Sequence, residues 1–204
     1  MKNALIGGLA GLITGILLIP ILKNLNVPVP YSVFLLPAGI TLVFGAGVVI
    51  AQWLGRWIPW FFQFSKFVAT GFMNATVDFG ILNILIAIFG VAAGTGYVLF
   101  KSGSFIIANI NSFFWNRAWV FNSVKNSVSD TLGGSGAAKK YIQFLIVSII
   151  GLVINVGAAT LVVNVIGVQF SLDATVWANV GATGGSAAGL IWNFLGYKLI
   201  VFKA

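Results

Sequence analysis

Six long apolar runs constrain this chain more than any other feature. They cover approximately residues 4–22, 32–55, 67–89, 103–121, 141–166 and 175–200. A helix needs about 20 residues to cross the hydrocarbon core of a bilayer, which is about 30 Å thick. The runs are continuously apolar rather than alternating, which favours helices over a β-barrel because a helix pairs its own backbone. The sequence predicts an all-α integral membrane protein with six transmembrane helices.

Composition agrees with a membrane protein and excludes several kinds of active site. Only 7% of the 204 residues are charged, whereas a soluble domain carries about 25%. The chain has no cysteine, histidine or glutamate, which removes Cys/His metal sites, haem ligation and imidazole catalysis, so no cofactor is predicted. The three carboxylates, Asp78, Asp130 and Asp173, fall at different predicted depths. An enzyme is therefore the least favoured class of function.

The basic residues lie mostly at the ends of the apolar runs, where lipid phosphate rather than nucleic acid is the nearer partner. With the N-terminus inside, the cytoplasmic cations are Lys2, Arg56, Lys66, Arg117, Lys125, Lys139, Lys140, Lys198 and Lys203. Only Lys23 and Lys101 then lie near the outer surface. This bias predicts a multi-pass protein of the cytoplasmic membrane with both termini in the cytoplasm. The first run lacks a small-residue cleavage site, so we expect a retained span rather than a cleaved signal peptide.

The second half of the chain repeats the middle. Residues 66–90 align with 143–167, and residues 113–121 align with 194–202. The aligned pairs include Asp78 with Asn155, Gly80 with Gly157, Gly90 with Gly167 and Arg117 with Lys198. Each unit starts and ends on the same predicted side. We therefore expect helices 3-4 and 5-6 to form a duplicated parallel hairpin repeat.

The repeat suggests a division of the chain into two regions. Residues 1–65 do not fit the repeat, and we predict an additional N-terminal transmembrane hairpin with an inner interfacial segment at 56–66. Residues 66–204 are predicted to form a four-helix membrane domain, with repeats at 66–121 and 143–202. Small residues suited to close helix contact recur at Gly7, Gly11 and Gly15, and at Gly181, Gly184, Gly185 and Gly189. The first stripe has packing as its simplest interpretation, with a second copy or a partner enzyme as the alternative.

Three motifs in order resemble the GtrA-like family. They are F-V-x-x-G-x-x-N-x-x-x-D-F at 67–79, N-R-x-W-V-F at 116–121 and W-N-F-x-x-Y-K-x-x-V-F at 192–202. That family comprises small four-helix membrane proteins, and its domain is also fused to dolichol-phosphate mannose synthases. The resemblance implies a role in cell-surface polysaccharide or glycolipid synthesis. It further implies movement of a polyprenyl-phosphate-linked sugar across the membrane beside a partner glycosyltransferase.

The candidate site residues are polar or aromatic side chains within or at the ends of the runs. They are Arg117, Lys198, Asp78, Asn74, Asn155, Asn116, Asn193 and Trp119. Asp78 is expected near mid-depth, where a carboxylate must be paired, hydrated or protonated. It is interpreted either as a neutral hydrogen-bonding group or as a step on a substrate or proton path. The asparagines are interpreted either as links between helices or as ligands.

Arg117 and Lys198 also have two interpretations. Each lies about four residues before the predicted inner end of its run, where a long side chain reaches the headgroups and anchors the helix. The alternative is a pair of cations that binds a lipid phosphate, with Arg117 contributing two parallel hydrogen bonds.

Three functions remain open from sequence. The first is a translocase for lipid-linked sugars, or an accessory to one. The second is a membrane scaffold that anchors a glycosyltransferase without transport. The third is a small-solute or proton-coupled carrier, suggested by Asp78. The expected partners are the lipid bilayer, a polyprenyl-phosphate-linked sugar, a membrane glycosyltransferase and a second copy of the chain.

Overall fold

The computed structural model describes residues 2–28, 32–120 and 135–196. These residues form six α-helices and contain no β-strand, which confirms the all-helical class for this part of the chain. The helices are α1 (Lys2–Asn24), α2 (Ser32–Leu54), α3 (Pro59–Phe89), α4 (Gly94–Trp115), α5 (Ser135–Thr160) and α6 (Ala174–Gly196). Two π-helical segments follow α4 and α5, at Asn116–Val120 and Leu161–Ile166.

Four helices in the described part of the chain are long and apolar enough to cross a membrane. They are α1, α2, α3 and the end of α5 with its π-helical segment. The helices α4 and α6 carry more Ser, Thr and Asn along their length. The chain is a multi-pass membrane protein. The count of six spans and the orientation of the termini stay predictions.

Three helices, α3, α4 and α5, begin well before their apolar runs. Helix α3 begins at Pro59, so the interfacial segment predicted at 56–66 continues directly into the helix. Proline suits this first position because its missing N–H has no helical partner there. Helix α4 begins at Gly94, so Lys101 lies within the helix rather than before it, whereas its predicted place near the outer surface stays a prediction. Lys101 lies two turns inside α4 and is fully buried, among polar residues that lower the local hydropathy without ending the helix.

The described residues fall into two compact units. The first contains α1, α2, α3 up to Ile88, and α4 from Ile106 with its π-helical segment. The second contains the residues from Phe89 to Phe105, then α5 and α6. Buried side chains of the first unit include Ala10, Val48, Met73, Leu82 and Trp119. Those of the second include Tyr97, Val147, Ala159, Trp177 and Ala182.

In the first unit, the glycine stripe of α1 packs against α2. A methyl group added to Gly11 would lie 2.6 Å from the carbonyl oxygen of Ile40. One added to Gly15 would lie 2.5 Å from the Cα of Pro37. No side chain fits at such distances, so the two backbones touch directly. The packing interpretation of this stripe is confirmed.

In the second unit, two tryptophans and a tyrosine hydrogen-bond to backbone carbonyl groups. The indole N–H of Trp177 donates to the carbonyl of Val162 at 3.0 Å. The indole N–H of Trp192 donates to Val147 at 3.0 Å, and the Tyr97 hydroxyl donates to Ala178 at 3.0 Å. Val162 lies in the π-helical segment, where the backbone pairing differs from that of an α-helix. These bonds join α4, α5 and α6 through buried polar contacts.

The turns after α3 and after the second π-helical segment use equivalent residues. Gly90 directly follows α3 with φ +65°, and Gly167 follows Ile166 with φ +70°. Both conformations favour glycine because a Cβ is strained there. Gly90 and Gly167 are aligned partners in the proposed repeat, and this local agreement is consistent with it. The repeat as a whole stays a prediction.

Asp173 caps the start of α6. Its carboxylate accepts hydrogen bonds from the Thr175 hydroxyl and from the Thr175 backbone N–H, the latter at 2.8 Å. The hydroxyl bond and then the backbone bond hold the pKa of the Asp173 carboxyl below its usual range. Both bonds favour the charged form, which also suits a helix N-terminus. We therefore assign Asp173 a structural role.

Candidate functional site

Asp78 is buried in α3, with 6% of its surface exposed. It lies within a helix that is long and apolar enough to span a membrane, and its depth in the bilayer stays a prediction. An acidic group in such a place is costly, and it is usually retained for a function or held by neighbouring polar groups. Asp78 itself takes part in polar interactions with the rest of the chain.

Two amide pairs join helices within the first unit. The Asn24 amide group on α1 donates to the side-chain oxygen of Asn83 at 2.9 Å and to its backbone oxygen at 3.0 Å. Asn83 is fully buried on α3. The Asn111 amide group on α4 donates to the side-chain oxygen of Asn74 at 3.4 Å. These contacts favour the interpretation of Asn74 as a link between helices, and they give Asn83 the same role.

Asn155 on α5 differs from these amides. It is 3% exposed, and its side-chain oxygen has no hydrogen-bond partner in the described part of the chain. The Thr160 hydroxyl nearby in sequence shares this property. Gly189 on α6 lies beside the side chain, where an added Cβ would be 3.4 Å from the Asn155 nitrogen. Buried polar groups are nearly always paired, so an acceptor without a partner in the described part of the chain calls for an explanation.

Trp119 fixes the end of α4 to the start of α1. Its indole N–H donates to the side-chain oxygen of Asn3 at 3.2 Å, and only 4% of its surface is exposed. The ring of Trp115 packs edge-on against it, with the centroids 6.0 Å apart. Trp119 is therefore a buried residue of the first unit and not part of a lipid-facing aromatic belt.

A cavity of about 330 Å³ lies beside this contact, and we call it the lysine cavity. It is formed by the start of α1, the start of α3 and the π-helical segment after α4. Its lining residues are Lys2, Asn3, Ile6, Phe62, Lys66, Ala118 and Trp119. It brings the predicted site residue Trp119 together with two lysines.

Lys66 is the most enclosed charged group of this cavity. It is 7% exposed, and its ammonium nitrogen lies 4.4 Å from the centre of the Phe62 ring. The two residues are four positions apart on α3 and so share a face of the helix. A lysine over an aromatic face is stabilised by the electron density of the ring. The contact holds the ammonium group at the wall of the cavity.

Sequence reasoning used Lys2 and Lys66 only to orient the chain and missed their convergence. The spacing of Phe62 and Lys66 was a usable signal for a held cation. No local pattern links Lys2 to Trp119, because they lie far apart in sequence and meet only through helix packing.

Several predicted site residues cannot be placed in this geometry. The backbones of Asn116 and Arg117 lie on the π-helical segment, beside Ala118 of the lysine cavity. The side chains of Asn116, Arg117 and Asn193 lie outside the described atoms, as does the whole of Lys198. Their roles stay predictions.

A second cavity, of about 390 Å³, is apolar. It lies between α2 and α3, with walls that include Val43, Leu54, Phe64 and Phe72. The Ser65 hydroxyl on its wall already donates to the carbonyl of Phe61 at 2.7 Å. This cavity suits a hydrocarbon chain and offers nothing to a charged group.

Comparison with known families decides the relationship of the chain. The family model of the GtrA/DPMS transmembrane domain matches residues 66–202, which is more than half of the sequence. The chain belongs to the GtrA family. Comparison with curated proteins and with solved structures gives no match. Membership of the GtrA family connects the protein with membrane processes that involve polyprenyl-phosphate-linked sugars.

The GtrA match also divides the lysine cavity. Lys66 and Trp119 lie within the matched residues, whereas Lys2, Asn3 and Phe62 precede them. The cavity is therefore built jointly by the GtrA domain and by the segment before it.

Proposed function

We propose that this GtrA-family protein moves a polyprenyl-phosphate-linked sugar across the cytoplasmic membrane, or assists that movement beside a membrane glycosyltransferase. The product serves the synthesis of a cell-surface polysaccharide or glycolipid. The protein itself performs no bond-making step in this proposal. Family membership supports the substrate class, and one observation in the geometry supports the passage of a sugar.

That observation is the unpaired side-chain oxygen of Asn155. It is buried in a helix that is long and apolar enough to span a membrane. A buried acceptor without a donor costs free energy, so it persists where a function requires it. Sugar hydroxyl groups are hydrogen-bond donors that such an acceptor can receive. Asp78, buried in α3 of the first compact unit, is proposed separately as a polar step on a substrate or proton path.

We expect Asn155→Leu to reduce transport while leaving the protein as stable as before or more so. Loss of one neutral hydrogen bond to the substrate, about 0.5–1.5 kcal/mol, corresponds to a fall of about threefold to tenfold in apparent affinity. Removal of an unpaired buried oxygen removes a desolvation cost, so the melting temperature is not expected to fall. The measurement is translocation of a labelled polyprenyl-phosphate sugar in proteoliposomes, together with thermal unfolding in detergent.

Asn179→Leu is the matched control for this change. Asn179 is equally buried, but its amide already donates to the carbonyl of Thr175 at 2.9 Å. We expect this variant to lose stability and to keep its transport rate per folded molecule. Full transport by Asn155→Leu would contradict the role of this oxygen. If the wild type does not translocate the lipid but a partner glycosyltransferase still depends on it for activity, the alternative function as a non-transporting membrane scaffold would be favoured.

Arg117 provides a separate test of the phosphate interpretation. If Arg117 binds a phosphate through its planar guanidinium group, Arg117→Lys keeps the charge but loses the paired hydrogen bonds. We expect a loss of about 1–2 kcal/mol, or roughly tenfold in affinity for the labelled lipid, and a larger loss for Arg117→Ala. The assay is lipid binding in proteoliposomes, with protein amount and orientation measured for each variant. Unchanged binding by Arg117→Ala would show that Arg117 is only an anchor.

A further inference from the structure

The lysine cavity combines positive charge with hydrogen-bond donors and lacks a negative partner. Lys2 and Lys66 line it, and no carboxylate is among its lining residues. The ammonium group of Lys66 has no hydrogen-bond or ion-pair partner in the described part of the chain, apart from its contact with the Phe62 ring. An ammonium group at the wall of a cavity without a carboxylate can bind an anion from outside the protein.

The chain has few acidic residues that could balance this charge. Eleven basic residues face three acidic ones. Among the three, Asp173 is engaged at the start of α6, in the other compact unit. Lys2 adds a second positive charge to the same cavity. Two cations around one space attract an anion more strongly than either would alone.

The neutral side chains of the cavity also favour an anion. Asn3 uses its side-chain oxygen to accept the Trp119 indole N–H. The remaining groups of the Asn3 amide are the two N–H donors. A lining of two ammonium groups and an amide donor binds a phosphate oxygen by charge-assisted hydrogen bonds. The volume of about 330 Å³ lies at the lower end of small-molecule sites, which is enough for a phosphate with part of its attached group.

We propose that the lysine cavity binds the phosphate of a phosphate-bearing ligand, with Lys2 and Lys66 as its principal charged groups. The identity of that ligand as a polyprenyl phosphate rests on the proposed function, whereas binding of a phosphate does not. The proposal assigns the segment before the GtrA domain a role in binding, because it contributes Lys2, Asn3 and Phe62. The cavity would therefore be incomplete in the matched domain alone.

The first arm of the test measures inorganic phosphate with the purified full chain in detergent. We expect phosphate, but not chloride at equal ionic strength, to raise the melting temperature of the wild type. The affinity is expected to fall about tenfold in Lys66→Met and in Lys2→Met, and to be largely kept in Lys66→Arg. Lys23→Met is the matched control. Lys23 is an exposed lysine in the last turn of α1, far along the helix from Lys2, and its loss is expected to change nothing.

The second arm uses phosphatidylcholine nanodiscs with and without a polyprenyl monophosphate, and measures lipid retained on the protein by native mass spectrometry. If lipid retention depends on Lys2 and Lys66 and persists when free phosphate is added, the ligand is a lipid headgroup. Displacement of the lipid by millimolar free phosphate identifies a water-soluble phosphate compound instead. Either result supports the phosphate site, and only the first supports the lipid.

A stability readout shows whether the variants fold. Lys66→Met removes one of two neighbouring positive charges but also the contact with the Phe62 ring, so without phosphate its melting temperature is expected to stay close to that of the wild type. This value shows only that the variant folds. Equal phosphate affinity in wild type, Lys2→Met and Lys66→Met would overturn the proposal. Neither arm measures transport. The phosphate-binding results can therefore be interpreted even if the proposed translocation is wrong.

Discussion

Replacing Gly11 with leucine is expected to lower the melting temperature of the protein by roughly 6–12 °C. Even a methyl group at this position would lie 2.6 Å from the Ile40 carbonyl oxygen and 2.8 Å from the Phe44 Cβ. The helices α1 and α2 would have to separate and lose their backbone contact. Such overpacking costs about 3 kcal/mol, and each kcal/mol corresponds to about 2–4 °C in a chain of this size. Thermal unfolding in detergent, followed by intrinsic tryptophan fluorescence, measures the change.

Gly39→Leu is the control for this experiment. Gly39 lies on α2, and within the described residues no atom beyond the adjacent backbone of its own helix lies within 4 Å of an added Cβ. We expect the melting temperature of this variant to equal that of the wild type or to rise, since leucine favours a helix more than glycine does. Equal losses in the two variants would show that leucine perturbs these helices for reasons other than the contact at Gly11.

In the second compact unit, Gly185→Ala is expected to destabilise the protein while Gly184→Ala does not. A Cβ on Gly185 would overlap the Asn155 carbonyl oxygen and would lie 2.9 Å from the Ala159 Cβ. We expect a cost of about 1–3 kcal/mol because α5 and α6 cannot approach as closely. This corresponds to a melting temperature about 5 °C lower. The test compares the two variants under the same detergent conditions.

Gly184, next to Gly185 in sequence, provides the matched comparison for this substitution. A Cβ on Gly184 would meet only Val162, at an ordinary 3.8 Å. Alanine there is expected to gain up to about 1 kcal/mol, because glycine weakens a helix interior. Two identical substitutions at adjacent positions should thus have opposite signs. If both variants lose stability equally, the close approach of α5 and α6 at Gly185 is not what holds them together.

The apolar runs predicted the helices well because burial in lipid imposes a minimum length of apolar residues. The runs at 4–22 and 32–55 agree closely with α1 and α2. The stripe from Gly7 to Gly15 also predicted a close contact, since helices in lipid associate through small residues. These features depend on local sequence, and local sequence is sufficient to find them.

Features that depend on tertiary packing could not be predicted in this way. The amide pair of Asn24 with Asn83 joins residues on different helices, and either residue alone resembles an ordinary loop or helix polar group. The lysine cavity requires α1, α3 and the end of α4 to meet. The start of α4 was predicted too late because a buried charge such as Lys101 lowers hydropathy just as an exposed one does. Hydropathy measures composition and not contacts.

The length of α3 has a consequence for the depth at which a ligand would be held. Its 31 residues extend about 46 Å at 1.5 Å per residue, against about 40–45 Å for a whole bilayer with its headgroups. A typical tilt of about 20° shortens this only to about 43 Å, so α3 is long enough to extend from one headgroup layer to the other. Lys66 lies seven residues after Pro59, or about 10 Å along the axis. In a helix placed this way, its ammonium group would lie near the polar boundary of the hydrocarbon core, within reach of lipid phosphates. A lipid could therefore reach the lysine cavity by lateral diffusion within its own leaflet, without being lifted out of the bilayer.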